Sequence, residues 1–229
     1  MLHSLFRRKE LKRYGSILKK FLSLLLGFIL ISLGLTSSLH AELGVHSWSI
    51  LHMGVSIQTG LTFGQAFQVT GITIILLSTM LGIIPGIGTI LNMYLIGVFC
   101  DIINASGWMS TPQSMLGRIA MLLMGNLLFA VGTYFYLKPG LGGGPKESLM
   151  LAISQRSKYS ISVIRTAMEI IATTIGTIMG GPLGIGTIVL AITIGPLIQG
   201  VCHIADLNLK AIKQLNIIEF YRLLRAEES

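Results

Sequence analysis

One five-residue string occurs twice in this chain, and the interval between its copies constrains the fold more than any other feature. The copies are Gly86-Ile87-Gly88-Thr89-Ile90 and Gly184-Ile185-Gly186-Thr187-Ile188, which lie 98 residues apart. Shifting the sequence by this interval aligns residues 20–105 with 118–203 without a gap and gives 20 identities in 86 pairs. The chain therefore contains two copies of one module.

Glycine positions support the duplication better than apolar positions do, because apolar residues align by chance in a hydrophobic chain. Seven glycine pairs coincide, at 27/125, 34/132, 44/142, 82/180, 86/184, 88/186 and 97/195. Random placement would give only about two coincidences, and each shared glycine marks a close approach or a positive φ angle.

The composition places both modules in a membrane. Hydrophobic residues make up 52% of the chain, charged residues only 11%, and the mean hydropathy is +0.76. A β-barrel would alternate apolar and polar residues, and that alternation is absent. The sequence therefore predicts an all-α membrane protein with six transmembrane helices, within 21–39, 64–84, 87–104, 119–137, 161–180 and 186–204.

Each module also contains a short segment, 45–58 in the first copy and 143–157 in the second, that is too short and too polar to cross a bilayer. Two interpretations stay open. The segment is either a helix lying at the membrane interface or a re-entrant helix, which is tolerated only where protein covers it or where it lines a wet cavity.

Charge predicts the orientation. Three crossings in each module insert the second copy upside down relative to the first. The loop 40–63 has no Lys or Arg, whereas its counterpart 138–161 carries Lys138, Lys146, Arg156 and Lys158. Under the positive-inside rule the first loop is outside and the second is cytoplasmic, with both termini in the cytoplasm of a bacterial cell. Membrane orientation thus accounts for the net charge of +8 without nucleic acid.

The predicted organisation has five parts: a basic N-terminus at 1–19, a first repeat at 20–105, a linker at 106–117, a second repeat at 118–204 and a tail at 205–229. The first apolar run resembles a signal peptide, but its counterpart at 119–137 lies deep in the chain, which favours a retained helix. The tail, with Lys210 and Lys213 among apolar residues, suits either an amphipathic surface helix or a soluble helical tail.

Four stretches resemble the YczE/YyaS/YitT-type bacterial membrane proteins, namely 43–52, 141–150, 165–169 and 181–187. In that family the first short motif tends to read Gly-x-x-Pro-Trp-Asp-x-Leu-His. Here Ser47 and Ser49 stand in place of its Pro and Asp, and Glu147 occupies the acidic place in the second copy. The resemblance implies a plasma-membrane protein of transporter-like build without a named substrate.

The short segments contain the first group of candidate site residues. If the segments are half-helices that meet near the midplane, they would direct His46, Trp48 and His52 on one side and Lys146 and Glu147 on the other toward a substrate. The alternative is an interfacial position, with Trp48 as an aromatic anchor and the polar residues solvated.

Arg165 and Glu169 form the second group, one helical turn apart within the span 161–180. Glu169 is eight residues, or about 12 Å, from the predicted cytoplasmic end, where an ionised carboxylate is costly. The functional interpretation is an ion-linked carboxylate with Arg165 as partner. The alternative is an internal salt bridge between packed helices.

The remaining candidates are polar or small residues inside spans. Asn92 is a buried amide for an interhelical hydrogen bond or a ligand contact. Gly86, Gly88, Gly184 and Gly186 suit tight turns and close packing, because no Lys-Ser/Thr follows them to complete a phosphate loop.

Function follows as two alternatives of different classes. The first is a transporter that moves a small organic molecule or ion by alternating access between inverted repeats. The second is a membrane scaffold or assembly factor without transport. No catalytic set or metal-ligand spacing stands out, so the sequence predicts neither an enzyme nor a cofactor, and the oligomeric state is left open.

Overall fold

A computed structural model describes residues 2–208 and 212–226, with side chains described from residue 17 onward except at 224 and 226. Lys210 of the predicted tail and the side chains of the basic stretch before residue 17 lie outside the described residues. Regular secondary structure in the described part is helical, with α1 at Leu2–Ala41, α2 at Ser47–Thr59, α3 at Phe63–Met80, α4 at Ile87–Ala105, α5 at Met115–Leu137, α6 at Pro145–Ser154, α7 at Ile161–Ile178, α8 at Ile185–Ile204 and α9 at Ile217–Ala226.

Six of these helices are long and apolar enough to cross a membrane: α3, α4, α5, α7, α8 and the part of α1 from Ile17 to Ala41. They coincide with the six apolar runs of the sequence, so the prediction of an all-α protein with six candidate spans is confirmed. The two short polar segments form α2 and α6, which lie between the first and second span of each copy.

The first helices of the two copies, α1 and α5, pack against each other along their length in antiparallel directions. Gly27 approaches Gly132, whereas Gly34, farther along α1, approaches Gly125, which lies earlier on α5. A Cβ atom added to Gly34 would lie 2.5 Å from the Gly125 carbonyl oxygen. Only glycine permits so close an approach of two backbones.

Most helix contacts occur in pairs that are related by exchanging the two copies. Helices α1 to α4 of the first copy correspond in order to α5 to α8 of the second. The contact of α2 with α7 therefore corresponds to that of α6 with α3, the contact of α1 with α4 to that of α5 with α8, and the contact of α2 with α3 to that of α6 with α7. Two contacts break the pattern. Helix α3 packs along α4, whereas α7 and α8 have no comparable contact among the described residues, and α4 packs on α6, whereas α8 and α2 have no comparable contact there.

The repeated glycine string makes equivalent contacts in both copies. The start of α4 meets the loop after α5 at what we call the α4–α5 junction, where the Gly88 amide donates to the Leu141 carbonyl oxygen at 2.8 Å. The start of α8 meets the loop after α1 at what we call the α1–α8 junction, where the Gly186 amide donates to the Leu43 carbonyl oxygen at 2.7 Å. The start of each third span is therefore fastened to the loop after the first span of the other copy.

Space at the two junctions is limited. A Cβ atom at Gly86 would lie 2.5 Å from the Leu141 carbonyl oxygen, and one at Gly184 would lie 2.3 Å from that of Leu43. The facing glycines, Gly44 and Gly142, have φ angles of +113° and +119°, which side chains rarely adopt.

The two ends of the bundle differ in charge. The Ser23 hydroxyl of α1 donates to the Phe135 carbonyl of α5, so Lys19 and Lys20 lie at the same end as Lys138. We call this end the basic side. It contains the α4–α5 junction, and the opposite side contains the α1–α8 junction.

The C-terminal segment 212–217 lies on the basic side, across the α4–α5 junction. The Leu215 amide donates to the Gly140 carbonyl at 2.9 Å, and the Ile217 amide donates to the Pro85 carbonyl at 3.1 Å. On the opposite side, an ion pair of 3.1 Å joins Arg118 to Glu42 instead.

The main core surrounds α1. Positions four, three and four residues apart place one face of this helix inside the bundle, and the buried members of the cluster are Leu24, Phe28, Ile31, Leu35, Phe63, Ile96, Cys100, Tyr136 and Leu141. The long helices also expose many Leu and Ile side chains outward, as lipid contact requires.

Candidate functional site

Helix α2 begins inside the bundle. The ring of His46, its N-cap residue, packs on Phe129 of α5 with centroids 4.7 Å apart. Phe129 lies eleven residues, or about 16 Å, along α5 from Arg118, which is paired with Glu42 at the opposite side. The chain therefore turns inward after α1 before α2 starts.

The same helix ends on the side that the chain left. The Gln58 side chain donates to the Met179 carbonyl oxygen at the end of α7, and Gly60 closes α2 with a φ angle of +74°. The exposed fraction of the residues rises along the helix, since Ser49 and Ile50 are buried and Thr59 is exposed.

Close packing on α7 covers the first half of α2. A Cβ atom at Gly176 would lie 2.4 Å from the Leu51 amide nitrogen, and one at Gly54 would lie 2.7 Å from the Gly176 carbonyl oxygen. Trp48, in the first turn, is half-buried.

Helix α6 starts in a similar setting, at the end of a glycine loop. The Gly144 amide donates to the Tyr136 hydroxyl at 2.9 Å, and the Thr89 hydroxyl donates to the Gly143 carbonyl oxygen. Pro145 occupies the first helical turn, a position that needs no backbone N–H partner.

Contacts with α3 show how far inside α6 begins. A Cβ atom at Gly71 would lie 3.8 Å from the Pro145 side chain, and Gly71 is nine residues, or about 14 Å, from Met80 at the end of α3. The Arg156 guanidinium, just beyond α6, lies beside Gly82 on the basic side. Helix α6 therefore also runs outward from the interior.

The first halves of the two short helices meet the same face of α3. His52 of α2 packs on Phe67 with ring centroids 4.7 Å apart, and Phe67 lies one turn before Gly71, which Pro145 contacts. His52 is 5% exposed, and its Nδ1 atom has no hydrogen-bond partner within the described residues.

The imidazole of His46 lies at the start of α2, inside the bundle. Its Nε2 atom is shielded from solvent and has no partner in the described part of the chain.

The N-terminal ends of α2 and α6 differ in whether an acidic side chain balances the positive end of the helix dipole. Glu147 lies in the first turn of α6, where the helix dipole favours a carboxylate. The first turn of α2 has no acidic residue, and its N-cap makes no side-chain hydrogen bond.

Asn92 lies close to this region, whereas Arg165 and Glu169 lie apart from it. Asn92 is 6% exposed and belongs to α4, which packs on α6. Arg165 is exposed and Glu169 is half-buried on α7, and no ion pair joins them or links either to another described residue.

A cavity of about 440 Å³ lies elsewhere, between α5 and α8. Its lining is mostly apolar and consists of Leu123, Leu127, Ile192, Thr193, Pro196 and Leu197. None of the sequence-predicted site residues lines it. Asn126 donates to the Thr193 hydroxyl at 2.8 Å beside this cavity.

Several residues of the region were missed by the sequence analysis. Phe129 and Tyr136 support the starts of α2 and α6, yet their repeat counterparts are Ile31 and Ser38, so the alignment gives no signal for them. Gln214 accepts from the Gly142 amide, and a tail glutamine carries no pattern that predicts this contact.

Comparison with known proteins places the chain among bacterial membrane proteins. The family model DUF6198, a family of unknown function, matches residues 18–203. An uncharacterized protein of Haemophilus influenzae is 35% identical over 182 residues, which cover 79% of this chain and 82% of that protein.

Two proteins of Bacillus subtilis also match. The uncharacterized membrane protein YczE is 33% identical over 175 residues, covering 76% of this chain and 80% of YczE. The uncharacterized protein YyaS is 28% identical over 172 residues, covering 71% of this chain and 82% of YyaS. No solved structure matches the chain. The resemblance to YczE/YyaS-type proteins is confirmed.

Proposed function

The chain belongs to DUF6198, a family of unknown function, and we propose that it is a transporter that moves a small organic molecule or ion across the plasma membrane. The observation that carries this proposal is that α2 and α6 each begin inside the bundle and run back outward. Transporters use such half-helices to direct backbone dipoles at a ligand near the midplane. The re-entrant interpretation is therefore preferred to the interfacial one.

Alternating access requires two halves that exchange roles, and we propose that they are inverted repeats. The antiparallel packing of α1 on α5 supports this, as do the exchange-related helix contacts and the matched junctions at Gly88 and Gly186. A two-fold rotation about an axis in the membrane plane would relate the two copies.

The proposed orientation follows from charge. Lys19, Lys20 and Lys138 lie on the basic side, which the positive-inside rule assigns to the cytoplasm of a bacterial plasma membrane. Both termini and the α4–α5 junction are then cytoplasmic, and the α1–α8 junction faces outward.

The proposed substrate site lies between the starts of α2 and α6, with His46, Trp48, His52, Lys146 and Glu147 as candidate contacts and Asn92 beside them. The partly positive N-terminal ends and the unpartnered imidazole nitrogens supply hydrogen-bonding groups for a polar substrate. The proposal includes no catalytic step and no cofactor.

A scaffold without transport is the second candidate, and one observation favours it. The apolar cavity between α5 and α8 does not reach any candidate site residue, so this cavity supplies no wet route to the starts of α2 and α6.

Accessibility of buried thiols separates the two candidates without a known substrate. Ser49→Cys on α2 and Ser148→Cys on α6 would be prepared with Cys100 and Cys202 replaced by Ala. A membrane-impermeant thiol reagent is then applied to right-side-out and inside-out vesicles. A transporter exposes both positions from both sides in turn, whereas a scaffold exposes each from one side or neither. Ile170→Cys, on an exposed apolar position of α7, is the unreactive control.

We also keep the sequence-based proposal that Glu169 and Arg165 belong to an ion pathway. We expect Glu169→Gln to leave the protein folded and to abolish the pH or ion dependence of transport, because the amide cannot be ionised. Compounds that raise the melting temperature of detergent-purified protein would first identify a ligand. Transport of that ligand with unchanged pH and ion dependence in Glu169→Gln would refute the role of Glu169.

A further inference from the structure

Helix α7 has a polar face that the described part of the chain covers only in part. Six of its seven polar residues recur every three or four positions, which places them on one side of the helix; they are Ser162, Arg165, Thr166, Glu169, Thr173 and Thr177, whereas Thr174 lies off this side. We call this set the α7 polar stripe. Glu169 and Thr173 are half-buried, and the other four are exposed.

Few helices cover α7. It packs on the short helices α2 and α6, but it lacks the contact with α8 that α3 makes with α4 in the first copy. Only 17% of its most apolar 18-residue stretch is buried inside the protein, compared with 56% of the corresponding stretch of α1. The counterparts of Arg165 and Glu169 on α3 are Phe67 and Gly71, so the charges belong to the second copy alone.

An uncovered charge pair is costly at this depth. Arg165 and Glu169 lie four and eight residues inside α7, and neither has an ion-pair partner within the described residues. Ionised side chains inside a bilayer pair with one another or face water or protein. The α7 polar stripe therefore needs a partner surface that carries both an acidic and a basic group at matching depths.

We propose that this partner is a second copy of the chain, in a dimer whose two α7 helices lie side by side. All copies insert in the same direction, so a two-fold axis along the membrane normal makes the two α7 helices parallel and brings each residue to the depth of its equivalent. Such an interface is self-complementary. Arg165 of each copy pairs with Glu169 of the other copy.

Distances suit this arrangement. Packed helices lie about 8–10 Å apart, and four residues correspond to an axial offset of about 6 Å, which the long arginine side chain can span. Ser162, Thr166, Thr173 and Thr177 have small side chains that allow close approach and interhelical hydrogen bonds. The proposed dimer does not depend on transport, and its test measures association alone.

Charge reversal in separate chains tests the proposal. Two tagged copies are co-expressed, and the fraction that co-purifies in mild detergent is measured. We expect wild-type copies to co-purify. When both copies carry Arg165→Glu, or both carry Glu169→Arg, the co-purifying fraction should fall at least tenfold, because like charges then face each other. Co-expression of Arg165→Glu with Glu169→Arg should restore co-purification, because each arginine again faces a glutamate.

This mixed pair distinguishes the dimer from a salt bridge within one helix. In a single helix, Arg165→Glu and Glu169→Arg each carry two like charges, and mixing the chains changes nothing. Failure of wild-type copies to co-purify, or no gain in the mixed pair over the single variants, would overturn the proposal. Membrane-inserted amounts of each variant, measured beforehand, show whether the single chains still fold.

Crosslinking gives an independent readout without charge changes. On a background lacking Cys100 and Cys202, Thr173→Cys should crosslink to its equivalent in native membranes. Ile171→Cys, on the exposed apolar side of the same helix, is the matched control and should not. Equal crosslinking at both positions would indicate random collision, and crosslinking of Thr173→Cys only to another protein would also contradict the proposal.

Discussion

The α4–α5 junction and the α1–α8 junction have the same backbone contact but different surroundings. In both, a glycine amide donates to a leucine carbonyl at nearly the same distance. The α4–α5 junction is also covered by residues 212–217, whereas the opposite side has the surface ion pair of Arg118 with Glu42. The repeat specifies the contact, and sequence outside the repeat adds further backbone contacts to one of the two junctions.

This difference has a consequence for the proposed transport cycle. Opening on the basic side requires the C-terminal segment to move, because its backbone bonds to Gly140 and Pro85. Opening on the opposite side breaks only contacts within the repeats and a partly exposed ion pair. We therefore expect the opposite side to open more readily.

The largest effect is expected from filling the space that both junctions share. Gly88→Leu and Gly186→Leu should each prevent folding, because a Cβ atom at either position already meets the facing loop at 3.0 Å or less and overpacking of this kind is strongly destabilising. Yield of monodisperse protein after detergent extraction is the measurement. Gly195→Leu is the control, since a Cβ atom there meets nothing within 4 Å. Folding of only one of the two Leu variants would show that the two junctions are not equivalent, and folding of both would contradict the prediction.

Removal of the C-terminal segment should separate the two junctions. A chain that stops before residue 212 should lose hydrogen-exchange protection at 139–144 and 85–90 and keep it at 41–46 and 184–188. The single change Gln214→Ala should destabilise the same junction by about 1–3 kcal/mol, because it leaves the Gly142 amide without its partner. It also removes one of the two hydrogen bonds to the Leu137 carbonyl, which still accepts from the Gly140 amide. Equal loss of protection at both junctions would contradict the comparison.

Threonine substitutions test the two copies at equivalent positions. Thr89 accepts from the Gly86 amide and donates to the Gly143 carbonyl, whereas Thr187 makes only a longer contact of 3.4 Å with the Gly184 amide. Thr89→Val should therefore be destabilising by about 1–2 kcal/mol more than Thr187→Val. Unfolding in denaturing detergent measures both, and a larger effect of Thr187→Val would reverse the assignment.

The smallest effect is expected at the surface of the α1–α8 junction. Arg118→Ala removes an ion pair whose side chains are 30% and 56% exposed, and such pairs contribute about 0.2–1 kcal/mol. It also removes the hydrogen bond from Arg118 Nε to the Pro112 carbonyl. The melting temperature should fall slightly, and the difference from wild type should shrink at high salt. A large decrease would mean that this ion pair, like the C-terminal segment, holds a junction closed.

Much of the fold could be predicted because hydrophobic length and glycine spacing are local signals. The six apolar runs coincide with six helices of sufficient length, and the short polar segments became α2 and α6. Most of the duplicated glycines lie at close approaches, since a Cβ atom at Gly34 or Gly184 would meet the backbone of another element. The prediction is wrong at Gly195, where a Cβ atom meets nothing within 4 Å.

The candidate site was harder to predict because its contacts are long-range. His46 lies on Phe129 and His52 on Phe67, and no spacing in the sequence brings these rings together. The repeat alignment does not help, since the counterpart of Phe129 is Ile31. Arg165 and Glu169, which the sequence set apart as a second candidate group, lie on α7 away from His46, with Arg165 exposed and Glu169 half-buried.

We propose that the two copies insert in opposite directions. Gln58, near the end of α2, and Arg156, just beyond α6, are exposed and lie at equivalent positions of the two copies. Gln58→Cys and Arg156→Cys would be compared on a background lacking Cys100 and Cys202. A membrane-impermeant thiol reagent added to intact cells should label position 58 and should label position 156 only after the membrane is opened. Labelling of both positions from the same side would contradict the inverted arrangement.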